Sequence, residues 1–415
     1  MPWPVRSTRP APDARIGRAL AGAGRSALAA GAGAAVFLGS LAGTAATMLA
    51  RQAVTPPVRQ KDPIRVHAIR FDDEAETSGA VTLARDVDSE TRGEYTMLWN
   101  RDRGRARLGE TITATVGTVT RRFDGVMGEP LAGARRVRVA SAPHLGAADL
   151  GLPYEEVRIP TEFGEAPAWW LPAEGGRPGD WVIHVHGRGS MRTETLRTVP
   201  IVAERGWSSL VVTYRNDAIF PAGPARGDAK YGLGLTEWRD VDAALEWAIA
   251  RGAERIVLVG WSMGGAVVGQ TLLNSPLADR VIAAMLESPA VDWRSVLEFQ
   301  AGLMRVPARV ARLGMRLLGS PLAPLALGVA EPLDLDALDL VARADELEVP
   351  LLVLHSLGDT MVPPEGSQRL AQARPDLVRY EEFTTARHTR LWNVDRERWE
   401  AIVADWFDGL GGRAG

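Results

Sequence analysis

The chain has 415 residues, 46% hydrophobic and 24% charged, with a formal net charge of −3. That leaves room for one large domain with additions, or for two, and it is an ordinary globular composition. Without a basic excess, nucleic-acid binding has no support. Without cysteine, disulfides, thiol nucleophiles and cysteine-bound metals are excluded. Lys61 and Lys230 are the only lysines, and an arginine bias of this kind fits GC-rich, bacterial coding.

In chain order, residues 1–25 carry Arg6, Arg9, Arg15, Arg18 and Arg25 against Asp13 alone. Ser26–Ala50 is uncharged, and as a helix it would span about 37 Å, enough for a bilayer core. The expectation is a cytoplasmic arm (1–25) and a single-pass membrane anchor (26–50), with the rest of the chain outside the cytoplasm. The alternatives are secretion after signal cleavage and an Ala/Gly-rich tail. Gly39 and Gly43 stand at helix-pairing spacing, which chance explains in so glycine-rich a run. Residues 51–63, with three prolines and no periodicity, read as a linker. Residues 64–150 hold short β-branched runs, "TITATVGTVTRRF" and "RRVRVA", between glycine breaks, and read as a small β-rich accessory region.

From Tyr154 the pattern becomes strand-helix alternation. "EEVRIP" and "APAWWLPA" open it as a strand pair. "DWVIHVHG", "WSSLVVTY", "RIVLVG", "VIAAMLES", "PLLVLHS" and "VRYEEF" follow as strands. Helical patterns lie between them, the clearest being "EWRDVDAALEWAIARG". The expected fold is α/β: a mostly parallel sheet covered on both faces, built from residues 151–291 and 347–415. Residues 292–346 separate two core strands and, with helix-like runs, read as a lid or cap.

"GWSMGG" (Gly260–Gly265) places Ser262 where a buried strand stops and a helix begins. Glycine is common enough here, 43 of 415 residues, that the motif alone decides nothing. Its context points to a nucleophile on a strained strand-turn-helix elbow, with the Met263 N–H as an oxyanion donor. The plain alternative is a turn with a buried serine. A serine needs a base, and of six histidines only His388 lies in a late loop at a strand's carboxyl end. His67 and His144 fall outside the sheet, and His355, at a strand end, reads as supporting. Asp359, after "LLVLHSLG", is the expected orienting acid, with Asp292 as a weaker rival. The loop after "HVHG" offers the Arg188 N–H as a second oxyanion donor. A His184–His186 metal pair lacks a third ligand, and neither metal nor organic cofactor is expected. Arg188, Arg192, Arg197 and Arg215 could attract an acidic substrate, but solvated arginines are the plainer reading. The thirteen tryptophans read as packing.

The span from Tyr154 to Phe407 resembles the serine α/β-hydrolases, through "HGRG", "YRND", "EWRD", "GWSMGG", "HSLGDTMVP" and "RHT". Within them it resembles the membrane-anchored and secreted esterase, thioesterase and peptidase-like branch. His355-Ser356 stands where many relatives have His-Gly. The residues themselves imply two-step acyl transfer by Ser262, Asp359 and His388, and the expected substrate is an ester or thioester, a small-molecule or lipid-like acyl compound. A peptidase, or a catalytically silent binding protein of the cell envelope, is the alternative.

Overall fold

The computed structural model describes residues 42–57, 61–173, 175, 177–217 and 230–411. The first element is helix α1 (residues 42–54). Its exposed residues (Arg51, Gln52, Met48) alternate at helical spacing with Ala46, Ala50 and Val54, each at most 2% exposed. This helix crosses the expected boundary between anchor and linker at residue 50. Residues 26–41 lie outside the described residues. Residues 42–50 continue into the first four residues of the expected linker as one helix, packed on protein. Among the described residues no helix is long and apolar enough to cross a membrane.

Residues 64–140 form a closed barrel. Its elements are β1 (Ile64–Phe71), β2 (Ser78–Ala84), the one-turn helix α2 (Val87–Glu90), β3 (Tyr95–Trp99), β4 (Gly104–Ala114), β5 (Thr118–Gly128) and β6 (Arg136–Ala140). The barrel order is β1-β2-β5-β4-β3-β6. Alternating side chains such as Val81, Leu83, Met97, Leu108, Phe123 and Val137 fill its interior. "TITATVGTVTRRF" spans the β4–β5 hairpin. Its turn, Thr115–Gly117, is closed by a Thr115 N–H bond to the Thr118 carbonyl (2.8 Å), with Val116 fully in solvent.

The second unit begins with β7 (Glu155–Thr161), β8 (Gly164–Leu171), β9 (Asp180–Val185), α3 (Val199–Ala203) and β10 (Ser208–Val211). It continues with α4 (Trp238–Ile249), β11 (Arg255–Trp261), α5 (Met263–Asn274) and β12 (Val281–Glu287). Then come α6 (Trp293–Leu303), α7 (Ala308–Leu318), α8 (Ala323–Leu327), β13 (Leu351–Ser356), α9 (Glu365–Ala373), β14 (Val378–Phe383), α10 (Leu391–Val394) and α11 (Arg396–Gly411). The eight-stranded sheet runs β14-β13-β12-β11-β9-β10-β8-β7. The pairs from β10 to β14 are parallel, while β8 pairs antiparallel with β10 and with β7. In β11, Ile256 and Leu258 enter one core while Val257, Val259 and Trp261 enter the other. Burial on both faces is why this strand reads as a continuous apolar run.

The helices α6 to α8 sit between β12 and β13. The long amphipathic run breaks at Met304–Pro307, where Arg305 has φ +56° and Pro307 caps α7. Among the described tryptophans, Trp181, Trp207, Trp261 and Trp399 are at most 1% exposed and pack in the core.

Candidate active site

The strands β9, β11, β12, β13 and β14 are successive parallel neighbours, so their carboxyl ends share one edge of the sheet. Ser262 follows β11 and precedes α5, with φ +54° and ψ −119°. A non-glycine residue in this region carries strain and persists only where its surroundings dictate it. Here its N–H donates to the Glu287 carbonyl (3.0 Å), and its carbonyl accepts from Gly265 and Ala290. A Cβ on Gly264 would stand 2.3 Å from the Val185 carbonyl, so only glycine lets α5 start this close to β9.

His388, in the loop after β14, brings Nε2 to 2.8 Å from the Ser262 hydroxyl and Nδ1 to 2.8 Å from Asp359 Oδ2. Asp359, in the loop after β13, also accepts from the Met361 and Val362 N–H groups through Oδ1 (2.8 and 2.9 Å). Burial alone would raise the Asp359 carboxyl. The His388 charge and hydrogen bonds from His355 and His388 outweigh it and hold the group well below the usual carboxylate range. Burial likewise opposes the charged form of His388, but the Asp359 charge and hydrogen bond raise its pKa above the ordinary 6.5. An ionised Asp359 can only accept, so Nδ1 carries the proton, Nε2 accepts, and the Ser262 hydroxyl donates to it.

The other candidates fall elsewhere. Asp292 caps α6, binding the Ser295 N–H and hydroxyl and pairing with Arg369 (2.7 Å). His184 meets the Ser209 hydroxyl, and His186 pairs with Asp217 and stacks on Tyr214, so the two do not converge. Met263 opens α5, where N–H groups lie ahead of the helical ladder. Arg188 lies in the turn after β9, closed by Ser190 N–H to the Gly187 carbonyl (3.2 Å). Its side chain leaves the site for the Gln52 and Thr55 carbonyls at the end of α1 and lies over the Tyr231 ring.

The arginine reading is corrected: these side chains are not solvated. Arg215 binds Asp240 through two bonds, Arg192 pairs with Glu156 over Trp169, and Arg197 is fully buried. Arg197 lies 3.8 Å from buried Glu287 and donates to the Thr389 carbonyl. Glu194, also buried, accepts from the Gly187 N–H (3.0 Å) and from the Ser141 and Thr389 hydroxyls (3.1 Å each). Glu194, Arg197 and Glu287 form a buried polar layer under the site, of which the sequence analysis pointed to Arg197 alone. One signal was available: "VIAAMLES" puts a glutamate at the end of a wholly apolar strand, where a charge needs a partner.

An elbow serine, a histidine and a carboxylate at adjoining strand ends of such a sheet define an α/β-hydrolase-type fold. The match of the alpha/beta hydrolase family model to residues 182–405, more than half of the sequence, agrees, and the chain belongs to that family. Residues 65–140, the barrel, match a family described only as a domain of unknown function (DUF8805). No curated protein matches the chain. Among solved structures, a Pyrococcus furiosus esterase is 20% identical with a TM-score of 0.49, over 65% of this chain and 95% of its own. A Mycobacterium tuberculosis puromycin-hydrolyzing peptidase is 19% identical with a TM-score of 0.47, over 83% and 53%. A thermophilic esterase from Thermogutta terrifontis is 19% identical with a TM-score of 0.43, over 62% and 99%.

Proposed function

We propose that the protein is a serine hydrolase that cleaves an ester or thioester through an acyl-enzyme on Ser262. The observation that carries this reading is the line Ser262–His388–Asp359, closed by two hydrogen bonds of 2.8 Å. His388 takes the hydroxyl proton on Nε2 as the Ser262 oxygen attacks the carbonyl carbon. Asp359 keeps the imidazole in the required tautomer and stabilises its charged form. The N–H groups of Met263 and Arg188 receive the developing oxyanion. The imidazolium then protonates the leaving group, and water, deprotonated by His388, releases the acid.

The test is fluorophosphonate labelling of the full chain, with turnover of graded p-nitrophenyl esters, an acyl-CoA and a peptide panel. Labelling confined to Ser262, with ester or thioester turnover, is expected. Selective turnover of peptides would transfer the reading to a peptidase. Absence of both labelling and turnover in folded protein would leave a binding protein.

A further inference from the structure

The barrel supplies none of the three residues of that line, yet it grips the loop that carries His388. Asp88, on α2, accepts from Arg387 (2.6 Å) and from Arg390 (2.7 Å), which bracket His388 in the chain. Arg390 also donates to the Val139 carbonyl of β6 (3.2 Å) and lies over the Tyr95 ring of β3. Beyond it, Asn393 of α10 donates to the Glu94 and Ser141 carbonyls. At Gly93, with φ +103°, a Cβ would stand 1.9 Å from the Asn393 carbonyl oxygen, so the barrel backbone lies directly on α10.

The residue next to His388 shows why a grip is needed. Thr389 has φ +52°, a left-handed backbone that a β-branched side chain resists. Such a residue persists only where several contacts fix it. Its carbonyl accepts from Arg197 (3.0 Å), and its hydroxyl shares the Glu194 carboxylate with the hydroxyl of Ser141, a barrel-side residue. The other oxygen of Glu194 holds the Gly187 N–H, in the loop that carries Arg188. Ser141 and Glu194 thus join the barrel, the histidine loop and the loop after β9 at one point.

We propose that the barrel is a positioning domain: Asp88 and Ser141 hold the histidine loop so that His388 Nε2 faces Ser262. The inference rests on His388 being the base. It predicts a loss in turnover rather than in substrate affinity, because these residues act through the loop. A misplacement of about 1 Å lowers rates roughly 100-fold.

The test uses the full chain and the p-nitrophenyl ester turned over fastest, with circular dichroism to select folded variants. Asp88→Ala is expected to lower kcat roughly ten- to a hundredfold with KM unchanged. Asp88→Asn, which keeps an acceptor for both arginines, should recover most of it. Asp88→Ala/Arg390→Ala should lose little more than the worse single variant, since the two share one interaction. Asp408→Ala, which breaks a peripheral pair with Arg205, should leave kcat unchanged. If Asp88→Ala does not fold, Ser141→Ala takes its place with the same expected kcat loss. Wild-type kcat in folded Asp88→Ala and Ser141→Ala, beside an inactive Ser262→Ala, overturns the positioning role and leaves the hydrolase reading standing. A fully active Ser262→Ala overturns the hydrolase reading itself. A change in KM without a change in kcat also overturns the positioning role.

Discussion

At the scale of single residues, the acid is the assignment most open to trial. Asp359 touches His388 and Asp292 does not, so the two carboxylates should respond differently to the same substitution. Asp359→Asn is expected to lower kcat roughly 10⁴-fold in a folded protein, because an amide favours the wrong imidazole tautomer. Asp292→Asn keeps an N-cap acceptor and should retain kcat, while Asp292→Ala should lose about 1 kcal/mol of stability. Ser262→Ala and His388→Ala should each remove nearly all turnover, and the double variant little more. An impaired Asp292→Asn with a normal Asp359→Asn would move the acid to the end of β12. The pH dependence follows from the direction of the His388 shift. The base form must be neutral, and the Asp359 charge raises the pKa against burial, with Glu194 and Glu287 adding to the rise. The rate should therefore climb tenfold per pH unit and level off through a midpoint above 6.5. In Asp359→Asn the raising interaction is gone and burial remains, so the midpoint of the residual rate should fall. A wild-type midpoint below 6.5 would contradict the geometry.

At the scale of elements, what is legible in the sequence is what burial on two faces imposes. β9, β11 and β13 read as apolar runs because both faces are covered, and the loops after them follow from their ends. That is why Ser262, Asp359 and His388 can each be assigned to a loop at a strand's carboxyl end. The barrel is harder to read, since its strands are bulged: the register between β4 and β5 shifts at three places from Arg105 to Thr113. Nothing in "RRF" announces that Arg121 turns into the interior, fully buried, to bind the Gly109, Thr91 and Gly93 carbonyls. Burial lowers its pKa to about 10, still charged at neutral pH. This one side chain ties the Gly109 carbonyl at the bulge to the Thr91–Gly93 segment, which lies against α10. Arg121→Met should strand those carbonyls and destabilise the protein by about 3 kcal/mol. Urea unfolding followed by intrinsic fluorescence would measure it. A change below about 0.5 kcal/mol would mean that water satisfies the carbonyls instead.

At the scale of the whole molecule, the decisive question is what α1 belongs to. Charge suggests a boundary at Arg51, where the uncharged run ends, and three prolines suggest a linker beyond it. Helical periodicity overrides both, because Arg51 and Gln52 face solvent while Val54, one turn from Ala50, is fully buried in the hydrolase core. The end of α1 is bonded as well as packed. The Val54 carbonyl accepts from the Tyr231 N–H (2.7 Å), and Lys230 reaches the Thr55 hydroxyl (2.9 Å). The Gln52 and Thr55 carbonyls, at the negative end of the helix, accept from Arg188. A linker and a docked helix make opposite forecasts. Val54→Asp places a charge without a partner in an apolar core and should destabilise the fold by about 3 kcal/mol or more, lowering Tm by several degrees. Arg51→Asp, three residues earlier on the exposed face, should leave Tm within about a degree of wild type. Because Arg188 lies in the loop after β9, Val54→Asp should also slow turnover at temperatures where the protein remains folded. Equal thermal stability for the two variants, measured by calorimetry on the full chain, would return α1 to the status of a tether.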